Sequence, residues 1–246
     1  MTALVVRGLS KRYGGVEALR NVSFTVSSGE LVALIGPNGA GKTTCFNLLN
    51  GQLAPDAGDV ELDGHRLAGR PPRDIWRLGV GRTFQITATF ASMTVRENLQ
   101  VALVSHDRAL HSPLGSLTSR KAAQADALLA RVGMLEQATR LCGVLAYGDL
   151  KRVELAMALA NAPRLLLMDE PTAGMAPEER GALMALASSL AKSDGIAVLF
   201  TEHDMEVVFG HADRVVVLHS GEVIAEGRPD EVRANRRVQE VYLGAA

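Results

Sequence analysis

Between Leu31 and Leu49 the chain reads LVALIGPNGAGKTTCFNLL: an apolar run, a glycine-rich turn, then a helix-like stretch. That order constrains the fold more than any other feature. Leu31–Ile35 is too short for a helix and too continuous for a half-exposed strand, so it reads as a strand buried on both faces. Similar runs recur at Leu165–Met168, Ile196–Phe200 and Val215–Leu218, each bounded by Gly, Pro, Asp or Ser. Helical patterns lie between them. In Glu178–Lys192, Leu183, Leu186 and Leu190 mark one face, and Pro177 stands where a first helical residue belongs. The alternation predicts an α/β core around a mainly parallel sheet.

The flanks differ from that core. Val5–Val6, Val22–Val26 and Val60–Leu62 are short and β-branched, with glycine turns between them, and predict a partly antiparallel β layer. Val95–Val104 and Lys121–Val132 read as helices, and His106–Ser119 as loop. Val153, Ala156, Met157 and Ala160 then recur at helical spacing. The expected organisation over 1–246 is a single domain: a core with its β layer from 1–86 and 161–246, and a helical subdomain inserted at 87–160. The charged Arg228–Gln239 stretch is expected at the surface.

Composition excludes several classes. Hydrophobic residues at 47% and charged residues at 22% suit a folded globular chain, and a net charge of −1 gives no reason to expect nucleic acid as a partner. No run approaches the roughly 18 apolar residues that a membrane span needs. Cys45 and Cys142 are far apart, form no metal-ligand pair, and read as small core residues of a reducing compartment.

Gly36, Pro37, Asn38, Gly39, Ala40, Gly41, Lys42 and Thr43 match G-x-x-x-x-G-K-[ST] in the strand–turn–helix context this motif requires. Glycines let the chain curl until backbone N–H groups converge on phosphate oxygens, and the following helix adds its positive end. Lys42 would reach the β- and γ-phosphates, Thr43 would offer a hydroxyl to Mg²⁺, and Thr44 would contact the α-phosphate. The alternative is a glycine turn that carries Lys-Thr by chance.

Leu165–Met168 ends in Asp169 and Glu170. A carboxylate at a strand tip can hold Mg²⁺, and its neighbour can orient or deprotonate water. Asp169 takes the first role and Glu170 the second; the bland reading is a solvated acidic turn. His203 follows the next apolar run and can donate to a γ-phosphate, or it simply opens a helix that Asp204 caps. Gln85 lies where core gives way to helical segment, and its amide can reach Mg²⁺ or the attacking water; otherwise it is a polar loop residue. Leu145–Ala156, LAYGDLKRVELA, reads either as an ordinary amphipathic helix or as a nucleotide-sensing signature with altered letters.

Taken in order, the phosphate loop, Gln85, Leu145–Asp149, Asp169-Glu170 and His203 resemble the ATPase subunit of an ATP-binding-cassette (ABC) transporter across essentially the whole chain. The resemblance implies a RecA-like P-loop NTPase fold, with ATP and Mg²⁺ as ligands and ATP hydrolysis as activity. It implies that Tyr13 stacks on adenine. It also implies that two subunits pair head to tail, each covering the other's γ-phosphate with a Leu-Ser-Gly-Gly-Gln helix start. Here that signature reads Leu145, Ala146, Tyr147, Gly148, Asp149. Ala146 lacks the serine hydroxyl, Tyr147 adds bulk, and Asp149 replaces an amide with an acid. The γ-phosphate would then be met by backbone N–H groups near Gly148. Ala176 stands where an Asp commonly closes the loop across the dimer, and it cannot cap the helix at Pro177.

The departures resemble the bacterial branched-chain amino-acid uptake branch, as do Gly81-Arg82-Thr83-Phe84-Gln85, Phe90, Met93–Leu99, Thr201–Met205 and Tyr242-Leu243-Gly244. The Arg82-Thr83-Phe84-Gln85 form and the long Val104–Lys121 region look like the longer of that system's two ATPase subunits. The resemblance implies a second ATPase subunit as partner, in a heterodimer or a homodimer. It further implies two membrane permeases, a periplasmic substrate-binding protein acting indirectly, and a place on the cytoplasmic face of the bacterial inner membrane. Urea and amide importers share much of this pattern. A mechanical ABC-type ATPase and a P-loop small-molecule kinase are the rivals from other classes.

Overall fold

A computed structural model describes residues 2–83, 89–106 and 121–243. Gln85 and most of the expected 106–119 loop lie outside the described residues.

Two sheets organise the described chain. The larger has six strands in the order β10-β9-β3-β8-β7-β6. Its strands are β3 (Leu31–Ile35), β6 (Val80–Thr83), β7 (Leu165–Asp169), β8 (Ala197–Thr201), β9 (Arg214–His219) and β10 (Glu222–Gly227). The apolar runs read from sequence are four of these, and every residue of β3, β7 and β8 is buried. Burial on both faces explains why their sequences do not alternate. β6, β7, β8, β3 and β9 pair in parallel, and β10 pairs antiparallel on β9. The edge strands β6 and β10 are not obvious in the sequence: β6 is four residues long and contains glycine, and β10 is half exposed.

The smaller sheet is antiparallel, in the order β2-β1-β4-β5, from β1 (Thr2–Tyr13), β2 (Val16–Ser27), β4 (Ala57–Leu62) and β5 (His65–Arg66). β1 and β2 run well beyond the short valine-rich segments expected, because register shifts carry the ladder through polar stretches. Val6, Leu9, Val22, Phe24 and Val26 face a core shared with the larger sheet and helix α1 (Lys42–Leu49). A second core lies on the opposite face, under helices α3 (Val95–His106), α4 (Ala122–Arg131), α5 (Tyr147–Ala158) and α6 (Pro177–Asp194). His106 ends α3 rather than beginning a loop, and α5 stops at Ala158, so Ala160 is buried beyond the helix end. Between β5 and β6 lies α2 (Pro72–Arg77). After β8 come α7 (Met205–His211), α8 (Pro229–Ala234) and α9 (Arg236–Leu243). The charged C-terminal helices anchor through buried Val232 and Val238. Cys45 and Cys142 are both buried, and burial pushes the Cys45 thiol up to about 12.

Candidate functional site

Because β3, β8, β7 and β6 are parallel neighbours, their carboxyl ends share one edge of the sheet. Ligands of open α/β sheets bind at such an edge. The loop after β3 carries Gly36–Gly41, β7 ends at Asp169 before Glu170, and β8 ends just before Glu202 and His203. Strand order therefore gathers three motifs that are more than a hundred residues apart in part.

The phosphate loop is walled by backbone. A Cβ on Gly36 would lie 2.3 Å from the Leu218 carbonyl oxygen of β9, and one on Gly41 would lie 2.6 Å from that of Ala18 on β2. Gly41 also holds φ at 108°, and it precedes α1 as an N-cap with no side-chain hydrogen bond. The first N–H groups of α1 thus remain for an anion. The Gly221 N–H donates to the Ala40 carbonyl at 3.1 Å, which ties the β9–β10 turn to the loop. Lys42 Nζ donates to the carbonyls of Gly36 at 2.6 Å and Pro37 at 3.1 Å, so the loop curls around its ammonium. Burial lowers the Lys42 pKa from its ordinary value, and the charges of Glu170 and Asp169 pull it back up. Thr43 is exposed and Thr44 partly so.

Asp169 is 8% exposed at the tip of β7. One oxygen accepts from the Thr201 hydroxyl at 2.8 Å, and the other pairs with Arg82 at 3.2 Å. Glu170 holds φ at 46°, a conformation costly for a side chain with a Cβ. Its N–H donates to the Thr201 hydroxyl at 3.0 Å, and its carboxylate meets His203 Nε2 at 2.7 Å. Glu202 is buried beneath, where it accepts from the N–H and hydroxyl of Thr172 and from the His203 N–H. Asp204 caps α7, accepting from the N–H groups of Glu206 and Val207, as the plainer reading of the His203-Asp204 pair expects.

Tyr13 ends β1 at the hairpin tip, 48% exposed, with Lys11 Nζ 6.0 Å from its ring centre. An exposed aromatic there has a free face for stacking. Leu145–Asp149 lies across the start of α5: Ala146 is the N-cap, without a side-chain bond, and Tyr147 is the first helical residue. The Tyr147 ring is accommodated over Gly174, where an added Cβ would lie 3.4 Å away, and Lys151 Nζ sits 5.4 Å from its centre. Gly148 is buried against Glu179: a Cβ there would lie 2.9 Å from Glu179 Oε1. Ala176 is the N-cap of α6, also with no side-chain bond.

Sequence reasoning missed Arg82, Glu179 and the support given by Thr201 and Glu202. Thr201 and Glu202 sit in the run around His203, but only the register Asp169↔Thr201 between β7 and β8 reveals their task.

Residues 19–173 match the family model described as ABC transporter. The chain belongs to the ABC transporter ATP-binding proteins. As a member it is an ATP-hydrolysing subunit. Residues 222–246 of the cassette match a second model, described as branched-chain amino acid ATP-binding cassette transporter. The cassette is 43% identical over 252 residues to the high-affinity branched-chain amino acid transport ATP-binding protein LivG of Salmonella typhimurium, covering 99% of this chain and 98% of that one. It superposes on the ADP conformation of MJ1267, an ATP-binding cassette of an ABC transporter, with a TM-score of 0.88, 31% identity and full coverage of both chains. It also resembles the dimeric structure of MJ0796, a bacterial ABC transporter cassette, at TM-score 0.77 and 26% identity over 92% of this chain and 98% of that one.

Proposed function

We propose that this cassette hydrolyses ATP to power uptake of branched-chain amino acids. One observation carries the chemistry: the Glu170–His203 pair stands at the same sheet edge as the phosphate loop. Phosphoryl transfer to water needs positioning and charge stabilisation above all. The α1 N–H groups and Lys42 take the phosphate charge. Glu170 accepts the proton of the attacking water, or orients it, and His203 holds that carboxylate while facing the γ-phosphate. Gln85 senses the same phosphate.

The residues fit Mg²⁺. Thr43 presents an exposed hydroxyl and Asp169 a carboxylate, both hard oxygen donors. No cluster of three or more His, Cys, Asp or Glu side chains suited to a metal occurs among the described residues. That matches an ion held by one carboxylate, a hydroxyl, waters and substrate phosphates. Bound there, it would neutralise charge on the β- and γ-phosphates.

Two cassettes close on ATP, Leu145–Asp149 of each covering the other's γ-phosphate, with Tyr13 on the adenine. The dimeric structure of MJ0796 supports the pairing of two cassettes. A groove of 390 Å³ beside Trp76, Arg82, Ala102 and Met157 lies between α2 and β6 on one side and α3 and α5 on the other, and it receives a helix of a membrane permease. No helix among the described residues is long and apolar enough to cross a membrane. We place the cassette at the cytoplasmic face of the inner membrane, with a second ATPase subunit, two permeases and, across the membrane, a substrate-binding protein. The LivG likeness and the C-terminal match favour branched-chain amino acids over urea or amides.

Glu170→Gln is expected to keep ATP binding and to cut turnover about a hundredfold or more; near-normal hydrolysis would remove Glu170 from this role. Vesicles carrying the cassette with its permeases should take up leucine on ATP addition. Uptake of urea without leucine would overturn the substrate assignment.

A further inference from the structure

Arg82 has an unusual set of partners. Its Nη1 donates to Asn47 Oδ1 at 3.0 Å and Gln52 Oε1 at 3.1 Å, while Nη2 reaches Asp169 Oδ2 at 3.2 Å. The guanidinium is 12% exposed at the side chain and therefore little screened. Asp169 Oδ1 is occupied by Thr201 from β8. The Asp169 carboxylate is thus gripped from both flanking strands, β6 and β8, and its rotation is restrained at each oxygen.

The other end of the bridge matters equally. Asn47 lies on α1, four residues after Thr43. Residues four apart share one helix face. Arg82 therefore spans from the face of α1 that carries Thr43 to the strand tip that carries Asp169. A guanidinium suits this task because its planar fork holds separate acceptors at fixed angles, which a lysine ammonium does not.

We propose that Arg82 is a positioning residue that sets the gap between the two Mg²⁺-facing groups, Thr43 on α1 and Asp169 on β7. It touches neither nucleotide nor metal in this role. Mg²⁺ demands near-ideal short octahedral geometry, whereas Ca²⁺ accepts longer and looser coordination. A cassette that loses the spacer should lose Mg²⁺ affinity and selectivity against Ca²⁺, while its phosphate loop still holds metal-free nucleotide.

The inference rests on the Mg²⁺ assignment made above, and the test separates the two. ADP binding is measured by calorimetry without metal, with Mg²⁺ and with Ca²⁺, for wild type, Arg82→Met, Arg82→Lys, Asn47→Ala and Asp169→Asn. Loss of supporting residues around a metal ligand lowers metal affinity about tenfold or more. Arg82→Met should therefore lose about tenfold of the affinity that Mg²⁺ adds, bring Ca²⁺ level with Mg²⁺, and leave metal-free binding within about twofold. Arg82→Lys and Asn47→Ala should shift the same way by less, and they keep the test open if Arg82→Met does not fold. An unchanged Mg²⁺ gain and Mg²⁺/Ca²⁺ ratio in the Arg82 variants, with the gain lost in Asp169→Asn, would overturn the spacer alone. So would metal-free binding that falls as far as Mg²⁺-dependent binding, which is the mark of a merely structural role. A gain that survives in Asp169→Asn would overturn the Mg²⁺ assignment and the spacer together.

Discussion

The phosphate loop and the start of α5 are both uncapped helix N-termini, yet their glycines are walled by different material. Gly36 and Gly41 press on carbonyl oxygens of β9 and β2, which the sheets hold in place. Gly148 presses on the carboxylate of Glu179, the far end of a flexible side chain. A Lys42 ammonium sits inside the first region, whereas a glutamate flanks the second. The first is built to hold an anion within one chain. The second is softer and flanked by a carboxylate, in keeping with the proposal that it meets phosphate only when a partner brings it.

Matching alanine substitutions probe this difference. Gly36→Ala should cost about 3 kcal/mol or more, since backbone cannot give way. Its melting temperature should fall by roughly 6–12 °C. A fall below about 2 °C would show that the β9 wall yields. Lys42→Ala should weaken ATP binding roughly tenfold to a hundredfold, because a charged donor is lost and the loop loses the group it curls around. Unchanged affinity by equilibrium binding would unseat the phosphate site.

Gly148→Ala should be milder, about 1 kcal/mol or roughly 2–4 °C in a thermal melt. Adding Glu179→Ala should restore most of that loss, and failure to do so would mean the clash lies elsewhere. Ala146→Ser should be smallest: a few-fold change in ATPase rate, about 1 kcal/mol or less. A hundredfold gain would mean that the native stretch is a crippled signature rather than one that works through backbone N–H groups.

Much of this was legible beforehand for physical reasons. The phosphate loop is local: its strand, turn and helix are contiguous, so a short window contains the whole device. The same holds for Asp169-Glu170 at a strand end and for Asp204 as a cap. LAYGDLKRVELA forms the amphipathic helix of its plainer reading, and the signature role is the one proposed for its exposed start. Ala146 and Tyr147 form an exposed, uncapped helix start, while Val153 and Ala156 are buried on the other face. What was not legible depends on pairing between distant segments. The bulk of Tyr147 is accommodated because Gly174, distant in sequence, lies beneath its ring. Asn47, Arg82, Asp169 and Thr201 come from one helix and three strands, and nothing in their separate surroundings announces that they share hydrogen bonds.

The sequence by itself determined which segments are buried strands, where an anion can be held, and which carboxylates end a strand, because periodicity and loop chemistry act over a few residues. Only the tertiary structure decided the order β10-β9-β3-β8-β7-β6. That order places Glu170 against His203 and hangs Asp169 between Thr201 and Arg82, while packing of α5 on α6 sets Glu179 against Gly148. Local pattern says that a strand exists but not which strand lies beside it, and the chemistry at this sheet edge depends on the neighbours.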